Sequence, residues 1–358
     1  MRTFPHFRAA LLLLVFLTTG QSLRAMLHLV IVFNLQNAAW SSSHIVFAKE
    51  TKQRAQFEIL SSWKGDLARG SIIEVPAMLQ VQSDRINLLE GQNINPQWPQ
   101  PALNVLLFLR ESSDPHTGQR HWLPATTEIK NSMIWFLNSK SFCFQPYGDE
   151  LDDLEEKPEN CTSSFFQVLT TVRQVMTDRA SFDLLAHLPD RSARAEALAT
   201  FLSSPYSAAH ADVFKQLQSC GPDAVPTLLA ILQDPALLDQ HREALRVLVE
   251  IEGPQAGPQL TALLEDERDF WAAAGTALQS TSVKPSSLLY GQDSYVFRRY
   301  RHTLDLLHAL GAIQFAGARE TITALRDTLA PVLQMRSPDG TNLIVWECNR
   351  VLSRLPTN

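Results

Sequence analysis

The sequence predicts an α+β multidomain chain, with a small antiparallel β-barrel followed by an α-α solenoid of the HEAT or armadillo kind. Three observations carry that expectation. Short strand-like runs crowd the first half, a fourteen-residue helical segment recurs in the second, and an acidic stretch separates them. The 358 residues are 45% apolar and 19% charged, with 14 glycines, which fits two or three folded domains and excludes disorder and collagen-like repetition. With 31 basic against 37 acidic residues the formal charge is −6, so no nucleic-acid partner is expected.

Arg2, His6 and Arg8 precede an apolar run over residues 9–17, and Thr18, Thr19, Gly20, Gln21 and Ser22 follow. That order is the plan of a secretory signal, and the run is shorter than the roughly 20 residues that cross a bilayer. Cleavage is expected after Gly20 or Ala25, with residues 1–25 assigned to the signal peptide, which places the mature chain in the periplasm or outside a bacterium. No stable membrane span is then expected. A second apolar run, residues 27–33, reads as a first strand, because Arg24 and His28 interrupt any single long anchor. A retained anchor or a start at Met26 is the alternative.

Residues 26–147 form the expected barrel. Strand-like runs lie at 44–49, 56–60, 71–75, 104–110, 121–124, 133–137 and 141–145. Gly65 suits a turn, Pro76 stops the third run, and the run at 104–110, apolar from Val105 to Leu109, suits a central strand. Residues 82–101, rich in Asn, Gln and Pro, read as a loop.

Four segments carry a resemblance: Ser-His-Ile-Val-Phe-Ala from Ser43, Phe-Glu-Ile-Leu-Ser-Ser-Trp-Lys-Gly-Asp-Leu from Phe57, Gly-Ser-Ile-Ile-Glu-Val from Gly70, and Val-Leu-Leu-Phe-Leu from Val105. Over residues 40–147 the chain resembles exported bacterial proteins whose N-terminal domain is similar to the OB-like barrel of netrin-like and tissue-inhibitor-of-metalloproteinase modules. The resemblance implies an extracytoplasmic barrel. It does not bring metalloproteinase inhibition with it, because those inhibitors chelate the target's metal through an N-terminal cysteine and the first cysteine here is Cys143.

Residues 148–161 form an acidic linker without the spacing of a calcium loop. The helical domain is expected over 162–356. Thr162 or Ser163 can cap its first helix, which carries Phe166, Leu169, Val172 and Met176 at helical spacing. The segment starting Gly221-Pro222-Asp223-Ala224 and ending at Asp234 recurs from Gly253-Pro254-Gln255-Ala256 to Asp266, identical at eight of fourteen positions. Glycine ends one helix, proline opens the next turn, and Leu and Ala line a single face. A third, degenerate copy is expected from Leu310-Gly311 through Ile322, Ala324, Leu325 and Asp327, after an insertion that includes a loop at 284–293. Such units resemble HEAT or armadillo repeats, including the bacterial HEAT-like variety, over about residues 180–330. Each helix pair needs its neighbours to bury its apolar face.

No catalytic, cofactor-binding or metal-binding motif stands out, and no cofactor is expected. His116 and His121 lie in a turn-like segment that reads as a polar loop rather than a metal site. Cys143 and Cys161 flank the linker and are the possible disulfide of an exported chain, with two unpaired thiols as the alternative. Cys220 and Cys348 sit on apolar helical faces and read as packing residues. Tyr295, Arg298, Arg299, Tyr300, Arg301 and His302 make the basic, aromatic cluster of the chain, with Arg298, Arg301 and His302 on one helical face. Tyr295, Arg298, Arg301 and His302 are the candidate partner-binding residues, suited to an acidic peptide or anionic polymer. The competing reading is a solvated helical face paired with nearby acids. The function expected is that of a non-enzymatic extracytoplasmic scaffold that binds a protein partner. The alternative is a regulator or inhibitor of an extracytoplasmic hydrolase, acting through the barrel.

Overall fold

The computed structural model describes residues 34–79, 82, 104–126, 133–137, 140–143, 165–280, 295–331 and 342–356. The chain divides into two compact units, Met1–Arg173 and Gln174–Asn358. The predicted signal peptide, first strand and acidic linker, the loop at 284–293, and all of the 82–101 loop except Gln82 lie outside the described residues.

The first unit opens on a helix that the sequence pattern did not reveal, α1 (Leu35–Ser41), whose cap Asn34 accepts the Asn37 N–H at 2.9 Å. It buries Ala38, Ala39 and Trp40. Seven strands follow: β1 (His44–Glu50), β2 (Gln56–Lys64), β3 (Ile72–Glu74), β4 (Asn104–Ser113), β5 (Arg120–Pro124), β6 (Met133–Leu137) and β7 (Lys140–Cys143). All pair antiparallel in one nearly closed, barrel-like sheet of order β3-β2-β1-β4-β6-β7. β4, apolar from Val105 to Leu109, is its centre. One edge pairs with β1, and the other takes β6 along 104–107 and then β5 along 109–113. Residues 105–109 are buried without exception, so both faces of this strand are covered and no alternation is possible.

Elsewhere alternation selects the inner face. Val46 and Ala48 of β1, Phe57 and Ile59 of β2, and Leu107 and Leu109 of β4 meet in one core. Register shifts between Ile45 and Val46 and between Phe47 and Ala48 bend β1 against β2, as curvature requires. Gln82 is buried. It accepts the Ala55 N–H at 2.8 Å and donates to Glu50 at 3.1 Å, which holds Ala55 at φ 61°.

The remaining elements are helical: α2 (Phe165–Ala186), which spans the boundary between units, α3 (Arg191–Ala199), α4 (Ser207–Cys220), α5 (Val225–Gln233), α6 (His241–Glu252), α7 (Gly257–Ser280), α8 (Tyr295–Ile313), α9 (Arg319–Leu329) and α10 (Leu343–Leu352). Gly221 and Gly253 take φ of 64° and 55°, and each heads a short 3-10 turn, Gly221–Ala224 and Gly253–Ala256. Proline stands second in both turns, and Ala224 and Ala256 are buried.

The expected third break at Gly311 is corrected. α8 continues to Ile313, and the chain reverses at Gln314, with φ 52°, into the turn Ala316–Ala318. Gly311 serves packing instead, because a Cβ there would sit 3.2 Å from Val351 of α10. Within the second unit α4 packs on α6, α6 on α8 and α8 on α10, while α3 packs on α5, α5 on α7 and α7 on α9. Among the described residues no helix is long and apolar enough to cross a membrane.

Candidate functional site

The predicted binding residues start α8, and the structure separates them. Tyr295 is 44% exposed and meets Phe270 edge-to-face at 5.9 Å between ring centroids. Arg298 is half-buried and reaches Asp239 at 3.6 Å, while Arg301 is exposed. His302 does not share that surface. It is buried on the inner side of the helix with Thr303, Leu306, Leu307 and Leu310. Helical spacing had grouped it with Arg298 and Arg301, but the packed neighbours α6 and α7 place the edge of the buried stripe between 301 and 302.

Inward of that edge lies a polar cluster drawn from three helices. The Arg299 guanidinium holds the buried Glu267 carboxylate, Nη2 to Oε1, at 2.9 Å and lies over the Phe270 ring at 4.5 Å. Thr303 Oγ1 donates to Glu267 Oε2 at 2.8 Å, with the Arg299 carbonyl at 2.9 Å, and accepts the Trp271 indole N–H at 2.8 Å. His302 Nε2 stands 3.9 Å from Glu267 Oε1, and its Nδ1 lies 3.3 Å from His241 Nδ1. His241 Nε2 is 3.0 Å from the Asp234 carbonyl. A carbonyl only accepts, so His241 carries its proton on Nε2 and offers a lone pair at Nδ1. His302 must then donate from Nδ1, which leaves its Nε2 lone pair facing Glu267.

Burial dominates the electrostatics. It raises the Glu267 carboxyl to about 7, against the opposing pull of Arg299. It pushes His302 down to about 2, helped by His241 and Arg299, and lowers His241 too. Both imidazoles are neutral. Among the described residues, Arg298 Nε and Arg299 Nε are buried without a hydrogen-bond partner.

A second cluster lies in the barrel, where the Trp63-Lys64-Gly65-Asp66 motif ends β2. Gly65, at φ 88°, packs so closely on the His44 ring that a Cβ would overlap it. Asp66 Oδ1 accepts from His44 Nε2 at 3.0 Å and from Arg120 Nη2 at 2.7 Å. Arg120 also reaches Glu111 at 2.6 Å and covers Trp122 at 4.9 Å. Arg120 first, then His44, hold the Asp66 carboxyl well below the usual carboxylate range. Lys64 Nζ donates to the Ser42 carbonyl at 2.5 Å, and Trp63 stacks on Phe47 and meets Phe165 edge-on. Ser43 Oγ is 3.0 Å from His44 Nδ1 and accepts the Glu111 N–H at 2.8 Å. The serine, histidine and aspartate fasten strand ends here: the hydroxyl is already occupied by the sheet's own backbone.

No known family model, curated protein or solved structure matches this chain. The side chains themselves therefore carry the functional argument. Among the described residues no group of three or more His, Cys, Asp or Glu could hold a metal ion.

Cys143 ends β7, whereas Cys161 lies outside the described residues. Cys220 and Cys348 are free and buried, and burial pushes the Cys348 thiol up to about 12. The sequence reading missed Glu267, which stands in a run of charges. The signal was its register: Leu260, Leu264, Glu267 and Trp271 recur at steps of three and four, so the carboxylate shares the buried stripe.

Proposed function

We propose that the protein is a non-enzymatic extracytoplasmic scaffold whose helical unit is a HEAT-like solenoid and binds a protein partner on the exposed start of α8. The observation that carries this reading is the double ladder of helices, α4-α6-α8-α10 and α3-α5-α7-α9, joined by turns of like conformation at Gly221 and Gly253. Stacked helix pairs of this kind present long surfaces rather than enclosed pockets. Tyr295 supplies an exposed aromatic, and Arg301 a cation suited to an acidic segment of a partner. The basic cluster of the signal region and the resemblance of the barrel support export.

The test is affinity capture from an envelope extract on the intact mature chain. A defined partner should be held by wild type and by Arg69→Ala, a change at an exposed turn residue between β2 and β3 of the barrel, and lost with Arg301→Glu. Partner loss with Arg69→Ala alone would move the function to the barrel and favour regulation of a hydrolase. Intact mass should show envelope-derived chain without residues 1–25. Full-length chain confined to the cytosol would overturn the location.

A further inference from the structure

The buried cluster between α6, α7 and α8 has a charge count that gives it a further property. It holds one permanent cation, Arg299, one carboxylate, Glu267, and two imidazoles locked in neutral tautomers by the Asp234 carbonyl. A first proton is taken by Glu267 and removes the anion paired with Arg299. A second must go to His302 or His241, leaving a buried imidazolium near the Arg299 cation.

Among the described residues the nearby acids are mostly engaged with other partners, and the pull of Asp234 toward protonation of His241 is outweighed by burial. From the turn before α6, Asp239 is engaged with Arg298. From α6, Arg242 faces Asp305 of α8, which also sees Arg301 and His308. From α7, Asp266 adds only a distant charge to Glu267. From α10, Glu347 is held by Arg350 and by His308, at 3.2 Å from the latter.

We propose that this junction is an acid-operated latch: uptake of the second proton releases α8 from α6 and α7. The helix released carries Tyr295, Arg298 and Arg301, so the latch would switch partner binding; only that output rests on the scaffold reading, and the opening itself does not.

The raised Glu267 value means that the closed state holds one extra proton between 4.5 and about 7, which favours closure as pH falls. The two lowered histidines mean that the open state takes up two protons below 6.5, which favours opening as pH falls. Below 6.5 the two histidines outnumber Glu267, so opening takes up protons as pH falls, by at most about one from these three groups and at most about tenfold in the opening equilibrium per pH unit.

Hydrogen exchange of the full chain, corrected for intrinsic rates, reads this directly on the α8 amides. Wild type should lose protection as pH falls below 6.5, by up to about tenfold per pH unit. His302→Asn, which keeps a donor to His241, should flatten the dependence, whereas Glu267→Gln should steepen it by up to about a further tenfold per unit. Asp305, whose carboxyl burial also raises, is common to all three chains and cancels in the comparison. Equal slopes in the three proteins would overturn the latch, as would protection lost equally in α3–α5 or unchanged in wild-type α8. If His302→Asn does not fold, the opposite sign expected of Glu267→Gln still decides. Protection that follows the latch while Arg301→Glu leaves partner capture intact would sink the scaffold reading alone.

Discussion

At Gly65 two demands fall on one residue, a positive φ and a surface close enough to touch the His44 ring. Gly65→Ala should therefore destabilise the first unit by about 3 kcal/mol, combining backbone strain with overpacking. His44→Ala on that background should recover the overpacking part and leave about 1–2 kcal/mol of strain, read by urea unfolding. In the second unit, Thr303→Val keeps the shape but orphans the Trp271 indole N–H and one oxygen of Glu267. A loss of about 1–3 kcal/mol is expected in the same assay, and an unchanged midpoint would mean that water replaces the hydroxyl. These sites were unequally legible. The Trp-Lys-Gly-Asp motif marked the barrel corner in the sequence, but its partners His44 and Arg120 are distant in the chain and nothing local announces them. His302 was visible as part of a basic cluster and misplaced, because a helical wheel gives angles between side chains but not the line where neighbouring helices begin.

Elements were easier to read than residues where the backbone chemistry is local. The glycines at 221 and 253 end α4 and α6 as their lack of a Cβ allows, and open space surrounds both. Gly221→Ala and Gly253→Ala should each cost about 1–2 kcal/mol through backbone strain alone. Gln314 holds a similar φ with a side chain present, so Gln314→Gly should stabilise by up to about 1 kcal/mol. Chemical denaturation of the three variants tests both signs. The third reversal was misread because Gly311 looks like a helix stop, whereas close approach of Val351 explains its missing side chain. α1 escaped because its seven residues are too few to display a helical period. The apolar stretch 105–109 of β4 was placed centrally from composition alone, since only a strand segment covered on both faces can dispense with polar positions.

Taken whole, the chain should answer acid in two stages. In the first unit the depressed carboxyls are Asp66, held by Arg120 and His44, and Asp114, held by the backbone N–H groups of His116 and Thr117. Groups with lowered folded values stabilise above their ordinary value of 3.8, and that stability is lost as pH falls through the folded range. The second unit begins to lose its latch below 6.5, the ordinary histidine value. Hydrogen exchange followed during acidification should therefore open α8 well before the barrel strands, and simultaneous opening of both would contradict these assignments. If the proposed signal is cleaved after Ala25, Arg2, Arg8 and Arg24 leave with it and the formal charge moves from −6 to −9.

The barrel corner bears on how quickly the chain can be made and unmade. Asp66 draws its two donors from residues 22 and 54 positions away, so the knot can close only after β1, β2 and β5 have already met. Contacts with such long loops between them belong late on a folding route. Asp66→Asn should accordingly speed unfolding and leave the refolding rate nearly untouched, and stopped-flow chevrons would show it. On this account the four-residue turn acts as a clasp fastened last, and its worth to the protein is measured in lifetime.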